Sequence, residues 1–365
     1  MKGKLRLVFL ILLVLFTSSG CWDELPYTSR AAALALVVVP KKAGDWSWSF
    51  YFPNPTVTVS SISQIKPSKE FFAVTVTAPS LASAYQRTQQ SLSRDLYLGQ
   101  AELIILSQNI RSRPLMNFLA AYNREGVTPK TAYLVVGPPS LTKTLPVSPQ
   151  EVIPSVYLAR FFDCRDCQTV YLSRQVWQIW DDYMTPGISP VIPYATAPQT
   201  ISRLAVYPNH GLPVIFTRRE TKGWGFLTGH VMKETLTLHL PQGLVTLTDI
   251  HGKPEISAAD GGDAVRARVT LPLVADLEQW PESAPLSPKA LQSISRAGEK
   301  EILSWCLDAI RRANRTHTDP FGFNRMLVFS HQEVVDVDHP EAWRYLPIDA
   351  TVTVRLTIRR TGVSG

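Results

Sequence analysis

The 365-residue chain is long enough for two or three domains, each with a core of its own. Its 45% hydrophobic and 18% charged residues, with 28 scattered prolines, exclude a disordered or collagen-like chain. The net charge is +7, or +4 once Lys2, Lys4 and Arg6 are set aside (34 basic against 30 acidic); with no zinc knuckle, RNA-binding aromatic motif or long Lys/Arg run, no nucleic-acid partner is expected.

Residues 1–20 read as a secretory signal. Lys2, Lys4 and Arg6 form a positive start, Leu7 to Phe16 an apolar block, and Thr17-Ser18-Ser19-Gly20 a run of small residues. The block is too short for a transmembrane helix, which needs about 20 apolar residues. Cys21 directly after Gly20 has the layout of a bacterial lipobox, with Ser18 where Leu is usual. The expectation is a diacylglycerol on the Cys21 thiol and a body tethered to the outer face of a membrane; two or more acyl chains give a stable anchor where one does not. The alternative is an ordinary secreted protein with Cys21 a spare thiol.

Along the mature chain, Ala31 to Val39 ends at Pro40 and favours a strand through Val37-Val38-Val39. Trp46, Trp48 and Phe50 alternate with serines as a strand does, and Phe71 to Thr77 is a further strand candidate. Ser80 caps a helix to about Ser93, with Leu81, Ala84, Tyr85, Thr88 and Leu92 on one face. Leu103 to Leu106 reads as a short buried strand. Pro114 opens a second helix with Leu115, Phe118, Leu119 and Tyr122 inward, and Thr131 to Val136 is a strand stopped at Gly137-Pro138-Pro139. Residues 152–183 are helical in pattern until Pro186, Gly187, Pro190 and Pro193 break it, and a domain boundary is expected there.

Short strands separated by Gly, Asn, Asp and Pro then predict a small antiparallel β region: Ala205 to Tyr207, Val214 to Thr217, Thr235 to Leu240 and Val265 to Leu271. Ser287-Pro288 caps a long helix to about Asn314, with Leu291, Ile294, Gly298, Ile302, Trp305, Cys306 and Ala309 on its apolar face. Met326 to Phe329 looks like a strand. In the last strand Val352, Val354, Leu356 and Ile358 point inward, and Thr351, Thr353, Arg355, Thr357 and Arg359 point to water. The fold class expected is α+β and multi-domain, with three domains, mixed and antiparallel sheets, and helices packed on one face. The divisions are a signal peptide (1–20), an N-terminal α+β domain (21–195), a small mostly β middle domain (196–283) and a C-terminal α+β domain (284–365).

No constellation reads as a catalytic site, cofactor site or metal site, so a non-enzymatic protein is expected. Cys164-Arg165-Asp166-Cys167 lacks the further ligands of a zinc site and sits in a helical pattern unlike a thioredoxin motif. A local disulfide or two unpaired thiols is the expected reading, ahead of a metal site or a redox pair. Gly223 to Gly229 has no Gly-Lys-Ser/Thr ending, so it reads as a β-turn or bulge rather than a phosphate loop. The seven histidines form no His-Glu-x-x-His, and only His331 and His339 fall close together. Asp181-Asp182 and Asp336/Asp338 are carboxylate pairs whose separation sequence leaves open, and no Gly-x-Ser-x-Gly elbow exists. Arg311, Arg312, Arg315, Arg355, Arg359 and Arg360 make a basic end: a solvated face, or a contact for lipid headgroups or a partner's acidic loop.

Several segments together resemble the Ger(x)C family of spore germination lipoproteins. They are Gly20-Cys21-Trp22-Asp23, Ser93 to Gln100 with Leu103 to Leu106, Asp319-Pro320-Phe321-Gly322-Phe323, and Trp343 with Val352 to Arg359 and Thr361-Gly362. Gln100 stands where the family commonly has His, and the likeness is thinnest between about residues 140 and 200. The resemblance implies a three-domain α+β lipoprotein on the outer face of the spore inner membrane. It implies the C subunit of a nutrient germinant receptor, working with the polytopic A and B subunits and held to lipid through acylated Cys21. The alternative function is an extracytoplasmic lipoprotein that binds a small molecule.

Overall fold

The computed structural model describes residues 29–41, 44–54, 71–126, 128–143, 154–196, 201–281, 286–330 and 345–360. Cys21, His331, His339, Asp336, Asp338, Trp343, Thr361 and Gly362 lie outside them.

The apolar runs of the first half form one mixed eight-stranded sheet, ordered β10-β9-β8-β7-β6-β2-β3-β4. Its strands are β2 (Ala35–Pro40), β3 (Trp46–Pro53), β4 (Phe71–Ala78), β6 (Leu103–Ser107), β7 (Tyr133–Gly137), β8 (Val191–Ala195), β9 (Ile201–Val206) and β10 (Val214–Ile215). The pairs β2–β6, β6–β7 and β7–β8 are parallel, and antiparallel strands flank them on both sides. Strands β6, β7 and β8 are buried along their whole length, as parallel strands covered on both faces must be. Alternate residues then feed two cores. Val38, Ile104 and Leu106 meet α1 (Leu81–Gln89), α2 (Ser112–Arg124) and α5 (Val176–Met184). Val37, Leu103 and Ile105 meet α3 (Pro139–Lys143) and α4 (Pro154–Asp163) on the other face. A small parallel pair, β1 (Arg30–Ala32) with β5 (Asp95–Tyr97), lies at the β3–β4 end.

Ser80 caps α1 as expected, its Oγ accepting from Ser83 N at 3.2 Å. The helical pattern of 152–183 is not one helix but α4, a 3-10 turn (Arg165–Cys167) and α5, with residues 168–175 irregular between them apart from isolated bridges at Val170 and Gln175. The Cys164–Cys167 disulfide closes that turn.

The second sheet comprises β11 (Glu234–Leu240), β12 (Gly243–His251), β13 (Glu255–Asp260), β14 (Val265–Gln279) and β15 (Ile348–Arg360). β11 and β14 alternate buried and exposed residues, the period-two signature of a sheet with one covered face. β15 runs parallel to β14 from the Val265–Ile348 pair to Asp276–Arg360. Its Thr351, Thr353, Arg355, Thr357 and Arg359 are exposed, while Leu356 is buried and Val352, Val354 and Ile358 pack on the core.

The long helix, α7 (Pro288–Thr316), starts at the expected Ser287 cap and crosses this sheet, Gly298 lying against Leu356, Leu247 and Leu236. The expected 195/196 division falls between β8 and β9, neighbours in the first sheet. The expected 283/284 division falls between β14 and α7, and β15 returns beside β14.

Two expectations are corrected. Gly223 to Gly229 is no turn or bulge: Gly223 to Thr228 belong to α6 (Arg218–Thr228), and Gly229 in the left-handed region ends the helix. A reciprocal Thr217/Glu220 capping box starts it, and Gly223 lets its backbone press on α7, where a Cβ would overlap the Trp305 carbonyl. The glycines are there for close approach. Arg219 reinforces the contact through Asp308 at 2.6 Å and Glu301 at 2.8 Å. Met326 to Phe329 is no strand either, but part of α8 (Phe323–Ser330). A short apolar run carries no period of its own, and the carboxylate preceding it decides for helix.

Candidate functional site

The two sheets are joined where the proline-rich 186–193 segment meets the Asp-Pro-Phe-Gly-Phe turn at the N-terminus of α8. Asp319 is fully buried. Its Oδ1 accepts from Phe321 N at 3.1 Å and Gly322 N at 2.9 Å. Its Oδ2 accepts from Asn324 N at 2.6 Å and Asn324 Nδ2 at 3.0 Å. Burial pushes this carboxyl up, against the pull of those donors. A carboxylate at a helix N-terminus also faces the positive end of the helix dipole.

The same turn reaches into the first sheet's unit. Ser189 N donates to the Asp319 carbonyl at 2.8 Å, and Asp319 N donates to Ser189 Oγ at 2.9 Å. Arg325 N donates to the Gly187 carbonyl at 2.8 Å. Gly187, at φ 83°, sits so close that a Cβ would overlap the Arg325 backbone, which requires glycine there for space and for conformation. From α6, Trp224 Nε1 donates to the Pro320 carbonyl at 2.9 Å. From the C-terminal side, Asn324 Oδ1 accepts from Leu346 N at 2.9 Å. Asn314 Oδ1 likewise accepts from Ile348 N at 2.8 Å and Tyr345 Oη at 2.7 Å. The Asp319 carboxylate thus shapes the turn, and backbone groups, Ser189, Trp224 and two amides tie that turn and the end of α7 to three distant segments. The chemistry is mechanical: backbone donors and acceptors are satisfied across the joint by one another and by side chains.

Beside the joint, His230 stacks on Trp224 with centroids 4.6 Å apart, its Nδ1 2.9 Å from Thr228 Oγ1. Burial, with the Arg174 and Arg165 charges adding to it, holds this imidazole down at about 4. A histidine kept neutral by the fold contributes stability that is complete above its unfolded value near 6.5 and is lost as pH falls towards 4. The loss amounts to about 3 kcal/mol at its limit. Thermal unfolding at pH 7 and pH 4.5 is expected to show a smaller acid destabilisation for His230→Asn than for wild type. Asp319 and Asp182, whose carboxyls burial raises, act with the opposite sign, so the difference between the two proteins is the quantity to read.

The other sequence candidates are dispersed. Cys164 and Cys167 are disulfide-bonded, and Cys306 is a buried thiol pushed up to about 12. Asp182 is buried against Arg174 rather than facing a second carboxylate across a cleft. Arg311 pairs with Asp308, and Arg359 lies 3.5 Å from Asp249. Among the described residues no group of three or more His, Cys, Asp or Glu side chains is placed to hold a metal ion.

A cavity of about 120 Å³ adjoins the joint, lined by Ser112, Met116, Asp182, Tyr183, Pro208 and His210. It is well below the roughly 300–1,000 Å³ of small-molecule sites. Two wider clefts, of about 610 and 590 Å³, are open and polar, one around Glu102, Tyr133 and Asp163, the other around Asp249, His251 and Asp276. Sequence reading missed Ser189, Asn314 and Asn324. The proline break at 186–193 and the Asp-Pro-Phe-Gly-Phe run were the only local signals, and nothing local says that they meet.

Two family models match the chain in succession. The "Spore germination protein N-terminal domain" covers residues 23–197, and the "Spore germination B3/ GerAC like, C-terminal" domain covers residues 203–362. The fold is similar to a solved structure described as "Crystal Structure of the GerBC protein". The TM-score is 0.55 at 12% identity, over 88% of this chain and 96% of that one. No curated protein matches the sequence.

Proposed function

The chain belongs to the GerAC-like family of spore germination proteins, and on that premise we propose that it is the C subunit of a nutrient germinant receptor. In this reading it is non-enzymatic, held by acylated Cys21 on the outer face of the spore inner membrane, and assembled with the polytopic A and B subunits. The observation that carries the reading is the pair of family matches, N-terminal then C-terminal, running without reordering from residue 23 to residue 362. The joint around Asp319 supports it. A subunit that acts by docking needs its two halves held in one geometry, and the buried hydrogen-bond network supplies that rigidity.

Membrane attachment in this reading is carried by Cys21. Among the described residues no helix is long and apolar enough to cross a bilayer. Detergent phase partition of cell extracts checks the anchor. Wild type is expected in the detergent phase with a diacylglycerol on Cys21 by mass spectrometry, and Cys21→Ala in the aqueous phase. An unmodified wild-type chain in the aqueous phase overturns it.

A further inference from the structure

We propose that the β4 end of the first sheet is the surface that lies on the bilayer, with Phe72 in the headgroup region and Arg30 and Arg94 on anionic phosphates. The proposal rests on the Cys21 anchor and goes beyond it by naming the face that meets lipid.

Three observations converge on that end. The first is apolar. Phe72 is 43% exposed although it stacks on Phe52 with centroids 5.1 Å apart. With Pro53 and Leu92 the two rings line a groove of about 320 Å³. An aromatic on an edge strand, supported from below and open above, has the form of an interfacial anchor. The second is charge. Arg30 and Arg94 are the charged residues among the described ones that line the groove, with the Arg30 guanidinium held 4.7 Å over the Tyr97 ring. Arginines beside an exposed aromatic fit an anionic lipid surface.

The third is the length of the tether. The chain enters the described structure at Ser29 and Arg30, on the rim of this groove. Nine peptide units separate Cys21 from Arg30, and fully extended they span at most about 32 Å. A lipid on Cys21 therefore keeps the Arg30 rim of the groove within about 32 Å of the bilayer.

The test uses the full-length acylated chain. Cys21 is occupied by lipid, Cys164 and Cys167 by their disulfide, and Cys306 is buried, so a single new surface thiol takes an environment-sensitive fluorophore. One protein carries it at Phe72→Cys and the other at Leu244→Cys, an exposed position in the second sheet. With vesicles containing phosphatidylglycerol, both proteins are expected to float. The label at 72 shifts to the blue and is quenched by lipid-borne quencher, while the label at 244 does neither. Arg30→Glu with Arg94→Glu is expected to reduce the shift about threefold, as is replacing the anionic lipid by phosphatidylcholine.

Flotation with the label at 72 still in water overturns the surface and leaves the anchor standing. Absence of flotation overturns the anchor and the surface together. A label at 72 shielded equally without vesicles means that another part of the protein, such as residues 55–70, covers the groove, which also overturns the proposal.

Discussion

Asp319→Ala is expected to destabilise the protein by about 4 kcal/mol. The substitution strands four buried donors that converge on one carboxylate: the backbone N–H groups of Phe321, Gly322 and Asn324, and Asn324 Nδ2. Each buried donor left unmade costs about 1–3 kcal/mol, reduced where the turn relaxes. The turn also presents the carbonyls and N–H groups that hold Ser189 and Gly187, so its collapse loosens the joint between the sheets. Asp319→Asn keeps the shape but places an amide N–H₂ against donors, and is expected to recover only part of the loss. At about 2–4 °C per kcal/mol for a chain of this class, thermal unfolding of Asp319→Ala falls by roughly 10 °C. A shift under about 2 °C would show that the joint is not held by this residue.

Trp224→Ala is expected to cost about 4 kcal/mol, by a different route. Its side chain is 2% exposed and sits in the core of the second unit. Truncation leaves a large cavity, worth about 3–5 kcal/mol for an aromatic, and frees the Pro320 carbonyl that its Nε1 holds at 2.9 Å. Trp224→Phe fills most of the volume and loses the hydrogen bond, so it isolates a contribution of about 1 kcal/mol. Trp224→Ala also uncovers His230, which stacks on it, and the acid destabilisation assigned to that histidine is expected to shrink in the same protein. Unfolding curves of the three proteins at pH 7 and pH 4.5 check both points.

Elements whose cause is local were legible. The period of two in β15 and the caps at Ser80 and Ser287 all act within a few residues, and the structure has them. At Cys164 and Cys167 a disulfide or two unpaired thiols stood ahead of a metal site or a redox pair, and the two are disulfide-bonded. The elements misread are those decided at a distance. Gly223 and Gly225 look like turn residues by composition, yet they lie in a helix and are glycine because a Cβ would meet Trp305 on α7 at 223 and Val170 and Val231 at 225. The run Met326 to Phe329 takes its form from the caged Asp319 before it. At the joint, Ser189 and Asp319 are 130 positions apart in sequence, and each alone is an ordinary polar residue near a proline. Neither residue's pattern contains the other. Cys21 belongs to a different category: its lipid reading rests on the order of residues 1–21.

The central claim is that this family member works as a lipid-held receptor subunit, and co-purification from membranes of sporulating cells tests it most directly. Wild type and Cys21→Ala are isolated in parallel, and the bound proteins are identified by mass spectrometry. The account predicts that wild type carries diacylglycerol on Cys21 and brings down two polytopic membrane proteins, while Cys21→Ala is soluble and brings down neither. A wild-type chain that is unlipidated, or that is isolated alone, contradicts it.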